Sequence, residues 1–139
     1  MLLDGREEVP RALAAFCESL VPGGRLILDV EPPSLITGPA PMRYWQRDPY
    51  LWTLQVMHTA YDRAANQATS FLRYEKWRDG GLVATELQRF RLQYWSLPEF
   101  GHLLAEAGFA DISVTADYRD DHQPGPASRV WTFHAVRPR

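Results

Sequence analysis

The chain has a single cysteine among its 139 residues, which excludes an internal disulfide and with it any fold stapled by bridges. Cys17 falls on the apolar face of the first predicted helix, where it reads as a reduced core thiol and not as a nucleophile. No stretch approaches the ~20 apolar residues of a membrane span, and Met1-Leu2-Leu3-Asp4 has neither the basic start nor the apolar block of a signal peptide. A cytoplasmic protein with no membrane partner is the expectation. There is no run of like charge, and a net charge of −2 lacks the basic excess of nucleic-acid modules, so nucleic acid is not an expected partner. His122 and His134 have no carboxylate or cysteine at metal-ligand spacing, so no metal is assigned.

What is present fits one domain over 1–139 with a core of its own. Val9, Leu13, Phe16, Cys17 and Leu20 recur at helical spacing, and Glu7 and Glu8 suit the positive end of a helix dipole, which predicts a helix over 7–20. Pro22-Gly23-Gly24 stops it, since proline cannot continue a helix and glycine accepts the positive φ of its exit. Leu26, Ile27, Leu28 and Val30, broken only by Asp29, then read as a strand buried on both faces. Ligands of open α/β sheets sit beyond the carboxyl ends of such strands, which directs attention to 31–45.

From Glu31 to Pro49 the prolines predict a loop, interrupted by Arg43, Tyr44 and Trp45, which either dock on the core or close over a ligand. Three long strands follow over 52–61, 69–79 and 82–95. Asp79-Gly80-Gly81 is a strong hairpin signal between the last two, Asp62 to Asn66 a weaker turn, and broken alternation in the third strand predicts a bulge there. Residues 46–95 thus read as an inserted antiparallel meander. Ser96-Leu97-Pro98-Glu99 is a capping-box pattern opening a short helix whose apolar face is Leu97, Phe100, Leu103, Leu104 and Ala107, and Gly108 ends it. Alternation over 111–118 and 129–136 predicts two closing strands that pair antiparallel.

Leu20, Pro22, Gly23, Gly24 and Leu26, followed by the insertion, by Glu99, Leu103, Leu104, Ala107, Gly108 and Phe109, and by two terminal strands, resemble the carboxyl-terminal half of a class I S-adenosylmethionine-dependent methyltransferase. The resemblance implies an α/β fold, α+β as it stands: part of a Rossmann-like sheet carrying an inserted meander. It also implies a truncated methyltransferase of the small-molecule type, with Met1 near the end of the fourth strand of a longer enzyme. That family builds its S-adenosylmethionine site from a glycine-rich loop in its first half, and this chain has no G-x-G. The complete enzyme would therefore use S-adenosylmethionine, while the chain alone is expected to bind none and to be inactive. A sheet missing its neighbour strand would also leave 25–30 as an open edge, so a homo-oligomer is expected.

For the small-molecule acceptor the candidates are Arg43, Tyr44, Trp45 and Trp52, with His58 as a possible base for an acceptor hydroxyl. Methyl transfer is an in-line displacement in which alignment and a dry pocket carry much of the rate, so a base is needed only where the acceptor loses a proton. The alternative is a free-standing α+β module whose aromatic meander binds a small ligand.

Overall fold

A computed structural model of the chain describes residues 6–33, 40 and 42–139. In chain order the elements are helix α1 (Glu8–Ser19), strands β1 (Arg25–Val30), β2 (Arg43–Arg47), β3 (Tyr50–Asp62), β4 (Gln67–Arg78) and β5 (Gly81–Gln93), helix α2 (Leu97–Glu106), and strands β6 (Ala110–Ala116) and β7 (Trp131–Val136). They fall into two compact units, Met1–Leu35 with Gln93–Arg139, and Ile36–Leu92.

The first unit is a three-stranded sheet in the order β1-β7-β6, with β7 antiparallel to both neighbours, so β1 and β6 run parallel to each other. Its core gathers Val9, Leu13 and Cys17 of α1, Phe100 and Leu104 of α2, and Phe133 and Ala135 of β7. Leu26, Leu28 and Val30 pack against that core, and the intervening Arg25, Ile27 and Asp29 face away from it, with Ile27 65% exposed. The strand is therefore not buried on both faces. Among the described residues it borders the sheet and has helices on one side only, so its apolar run is half exposed there. Phe16, placed by periodicity on the inner stripe of α1, sits at its margin and is 39% exposed.

The local signals at the element ends have direct physical counterparts. In α2 the Ser96 hydroxyl accepts from the Glu99 N–H while the Glu99 carboxylate accepts from the Ser96 N–H at 2.9 Å, a complete capping box. Those hydrogen bonds, with Arg6 nearby, hold the Glu99 carboxyl below its usual range. Gly108 leaves the helix at φ +95, a conformation that L side chains rarely adopt. At the end of α1 the Arg137 guanidinium donates to the carbonyls of Glu18, at 2.8 Å, and Leu20, satisfying acceptors that the helix leaves open.

The second unit is a four-stranded antiparallel sheet in the order β2-β3-β4-β5. Asp79 and Gly80 both take positive φ in the tight turn between β4 and β5, and the Asp62 carboxylate accepts from the N–H groups of Ala64 and Ala65 in the turn before β4. Two features differ from the sequence expectation. Residues 43–47, expected as loop, form β2, paired with β3 from Arg43↔Leu54 to Arg47↔Tyr50, and every residue of β2 is exposed. Arg43, Tyr44 and Trp45 are therefore fixed by a backbone ladder and not by docking on a core. Within that expected loop, 34–39 and 41 lie outside the described residues. A register shift also falls in β3, between Val56 and His58, where the sequence offered no warning.

Candidate functional site

The register of the four-stranded sheet decides which candidate residues meet. Residues directly opposite one another share a face, as do residues two apart on one strand. Trp45 lies opposite Trp52, Trp52 opposite Lys76, and Arg43 opposite Leu54, so Arg43, Trp45 and Trp52 share one face. Tyr50 and Lys76 join them there. The Lys76 ammonium stands 3.8 Å from the centroid of the Tyr50 ring and 5.0 Å from that of Trp52, and the two rings are 6.4 Å apart at 59°. A cation between two tilted aromatic faces gains from both ring quadrupoles.

Tyr44 lies opposite Thr53, and Thr53 opposite Glu75, which puts Tyr44 on the other face. That face is polar: the Thr53 hydroxyl donates to Glu75 at 3.1 Å, the Arg73 guanidinium donates to the Gln55 side-chain carbonyl at 2.8 Å, and Arg73 and Glu75 pair at 3.2 Å. His58 also falls there. Even spacing from Trp52 would put it on the first face, but the bulge inserts one residue and reverses the alternation, so His58 pairs with Phe71 and stacks on its ring at 6.4 Å. The five candidates are thus divided three and two between opposite faces. Among the described residues His58 has a ring partner and no hydrogen bond of the kind that orients a base.

At the turn end of the second face Gln46, Asp48, Pro49, Leu51, Trp77, Arg78, Asp79 and Gly80 line a cleft of about 390 Å³. The indole N–H of Trp77, buried and without an acceptor, is an unspent donor among these residues. A cleft of this size with an aromatic wall, an amide and two carboxylates suits a small polar ring. None of Tyr50, Lys76, Trp77 and Asp79 is a ligand-contact candidate from sequence, where Asp79 stands only as a turn residue. Their signal is the cross-strand register, which requires the turn at 62–66 to be placed first.

In the helix-backed unit a second polar cluster stands at the carboxyl ends of β1 and β6. Asp29 accepts from the Thr132 hydroxyl at 2.8 Å and from the Tyr118 phenol at 2.9 Å. Asp117 and Tyr118 both have left-handed backbone, φ 56 and 57, and the Asp117 carboxylate fixes that turn by accepting from the Arg129 N–H at 2.7 Å. The hydrogen bond to Asp29, and the charge of its carboxylate, push the phenol of Tyr118 above its ordinary pKa and keep it a neutral donor. His122 approaches Asp117 at 3.4 Å, and among the described residues no three metal-ligating side chains gather. No described helix is long and apolar enough to cross a membrane.

No protein-family model and no curated sequence matches the chain. Solved structures do match it in fold. An S-adenosylmethionine-dependent methyltransferase from Clostridium acetobutylicum superposes with a TM-score of 0.71 at 10% identity over 96% of this chain and 52% of its own. The CcbJ methyltransferase from Streptomyces caelestis does so at 0.66 and 18% over 96% and 54%. CalS10 from Micromonospora echinaspora, an amino pentose methyltransferase solved with S-adenosylmethionine bound, does so at 0.67 and 18% over 97% and 52%. The chain therefore has an α+β fold like part of these enzymes, and it spans about half of their length.

Proposed function

We propose that the chain is the carboxyl-terminal, acceptor-side half of an S-adenosylmethionine-dependent methyltransferase acting on a small molecule. The observation that carries this reading is the likeness over nearly all of the chain to methyltransferases about twice as long. The order helix, strand, inserted sheet, capped helix and two closing strands supports assignment to the second half.

The residues present do not fit the cofactor. Gly24 is spent on turn packing, since a Cβ there would meet the Val21 carbonyl at 2.7 Å, and Gly80 belongs to a hairpin turn. With no glycine cradle among the described residues, no step through S-adenosylmethionine is derived from this chain. Its contribution is to the acceptor. The patch of Trp52, Tyr50 and Lys76 offers ring stacking and a cation, and the cleft by Trp77 offers hydrogen-bond partners for a polar ring. The amino pentose named for CalS10 is the kind of compound such a surface accommodates.

Sequencing the source DNA upstream and in frame tests this. The reading predicts an open frame of about the chain's own length encoding a strand, a glycine-rich turn and a helix. A stop codon directly before Met1 would contradict it. The cleft, which lies within one compact unit, would then favour the free-standing small-ligand module.

A further inference from the structure

Charge is divided unevenly between the two faces of the four-stranded sheet. Cross-strand register sets Trp45, Trp52 and Lys76 in one row across β2, β3 and β4, and Arg47, Tyr50 and Arg78 in the next, with Arg43 two residues before Trp45 on the same face. Neighbouring strands lie about 4.8 Å apart and same-face residues along a strand about 7 Å, so these residues fall within a patch of about 10 Å by 14 Å. Four of them, Arg43, Arg47, Lys76 and Arg78, are cations, in a chain whose net charge is −2. Strands β2, β3 and β4 contribute no carboxylate to this face, since Asp62 and Glu75 fall on the other one. The rows are set by pairing within one compact unit, Ile36–Leu92.

These charges are not spent within the sheet. The Arg43 and Arg47 guanidinium groups have no ion pair or side-chain hydrogen bond among the described residues. Lys76 faces only the rings of Tyr50 and Trp52, and Arg78, 5.9 Å from the Tyr50 centroid, pairs only with Asp79 beside it in the turn, at 3.5 Å. Trp45 is 45% exposed and has no ring or cation partner among the described residues, which leaves an open aromatic face in the same patch. Like charges held this close repel. An anion placed among them relieves the repulsion and gains charge-assisted hydrogen bonds, whereas a neutral ligand leaves the repulsion in place.

We propose that this face binds an aromatic ring carrying an acidic group, phosphate or carboxylate, with the ring stacked on the exposed tryptophan and the acid neutralised by the guanidinium and ammonium groups around it. Under the methyltransferase reading, on which this role rests, such a ligand is the acceptor, so the acceptor is an aromatic anion. Binding at this face needs no cofactor, and the two readings therefore fail separately. A stop codon directly before Met1 would remove the acceptor role and leave the anion site, whereas absent binding would remove the anion site and leave the enzyme half.

Calorimetric titration of the chain with naphthyl phosphate and with naphthoate is the test, with naphthol and inorganic phosphate supplying the ring and the anion alone. At least one aryl anion is expected to saturate the chain with a dissociation constant of about 1 mM or tighter, and naphthol and phosphate should bind at least about tenfold more weakly. The better of the two aryl anions tells phosphate from carboxylate. Lys76→Gln and Arg47→Gln, the second at a fully exposed position of β2, should each weaken that binding about threefold or more. Arg119→Gln, the same change of charge at an exposed position in the other unit, should leave it unchanged. No saturable binding of either aryl anion overturns the proposal, as does equal affinity for naphthol, or weakening by Arg119→Gln as large as that by Lys76→Gln. Tighter binding of a single-stranded oligonucleotide than of either aryl anion overturns it in favour of a nucleic-acid surface.

Discussion

The two units of the chain are held together by different physics. The helix-backed unit contains nearly all of the buried residues, with Leu13 and Leu104 fully enclosed and Phe100 tilted against Phe133 at 4.9 Å between ring centroids. In the four-stranded unit only Thr53 and Ala68 are buried among the described residues, and its strands carry exposed Met57, Phe71, Leu82, Val83 and Leu87. One unit has a core. The other is a single sheet layer whose order rests on its ladder and cross-strand pairs, and it carries the aromatic patch and the cleft. Stability is concentrated where ligand chemistry is sparse, and the reverse.

Substitutions can break this contrast. Phe100→Ala, in the core of the first unit, should cost about 3–5 kcal/mol in denaturant unfolding, whereas Leu87→Ala on the exposed β5 should change stability by no more than about 0.5 kcal/mol. Comparable losses at the two positions would mean that the four-stranded unit has a core of its own. Gly108→Ala comes next, since it forces an L residue into φ +95 with a Cβ 3.6 Å from the Cys17 sulfur. A loss of about 1–2 kcal/mol in the same assay is expected.

Ser96→Ala should cost about 1 kcal/mol by removing half of the capping box. The linked pH dependence sharpens it. Because folding lowers the Glu99 pKa below its ordinary 4.5, the stabilisation is present above that value and is lost as pH falls through the folded pKa. The difference between wild type and Glu99→Gln in thermal melts should shrink on acidification. The smallest effect is expected at Tyr118, whose phenol is raised above its ordinary 10.0, so its contribution holds below pH 10.0 and fades as pH rises through the folded pKa. In an ultraviolet titration Asp29→Asn should bring the tyrosine transition back toward its ordinary position.

What the sequence revealed divides along the same line. In the helix-backed unit each element is announced by local chemistry: the stripe Val9, Leu13 and Cys17, the Pro22-Gly23-Gly24 stop, the Ser96 and Glu99 box, and the Gly108 exit. These are interactions within a few residues, so they are legible without the fold. The double burial expected of β1 was not legible correctly, because an apolar run records hydrophobicity and not which neighbours the strand will have. The candidate site depends on register, a non-local property. Strand β2 is five residues long among proline-rich flanks, and the bulge before His58 reverses the face of everything beyond it. Trp45 and Trp52 face one another on neighbouring strands, while Tyr44 and His58, candidates of the same set, lie on the other side of the pleat.

The most direct test of the central claim is calorimetric titration of the isolated chain with S-adenosylmethionine, repeated on the chain extended by its in-frame upstream codons. Half of a methyltransferase should give no binding heat alone and saturable micromolar binding once extended. Micromolar binding by the isolated chain would contradict the account, because no glycine cradle stands among the described residues to hold the cofactor.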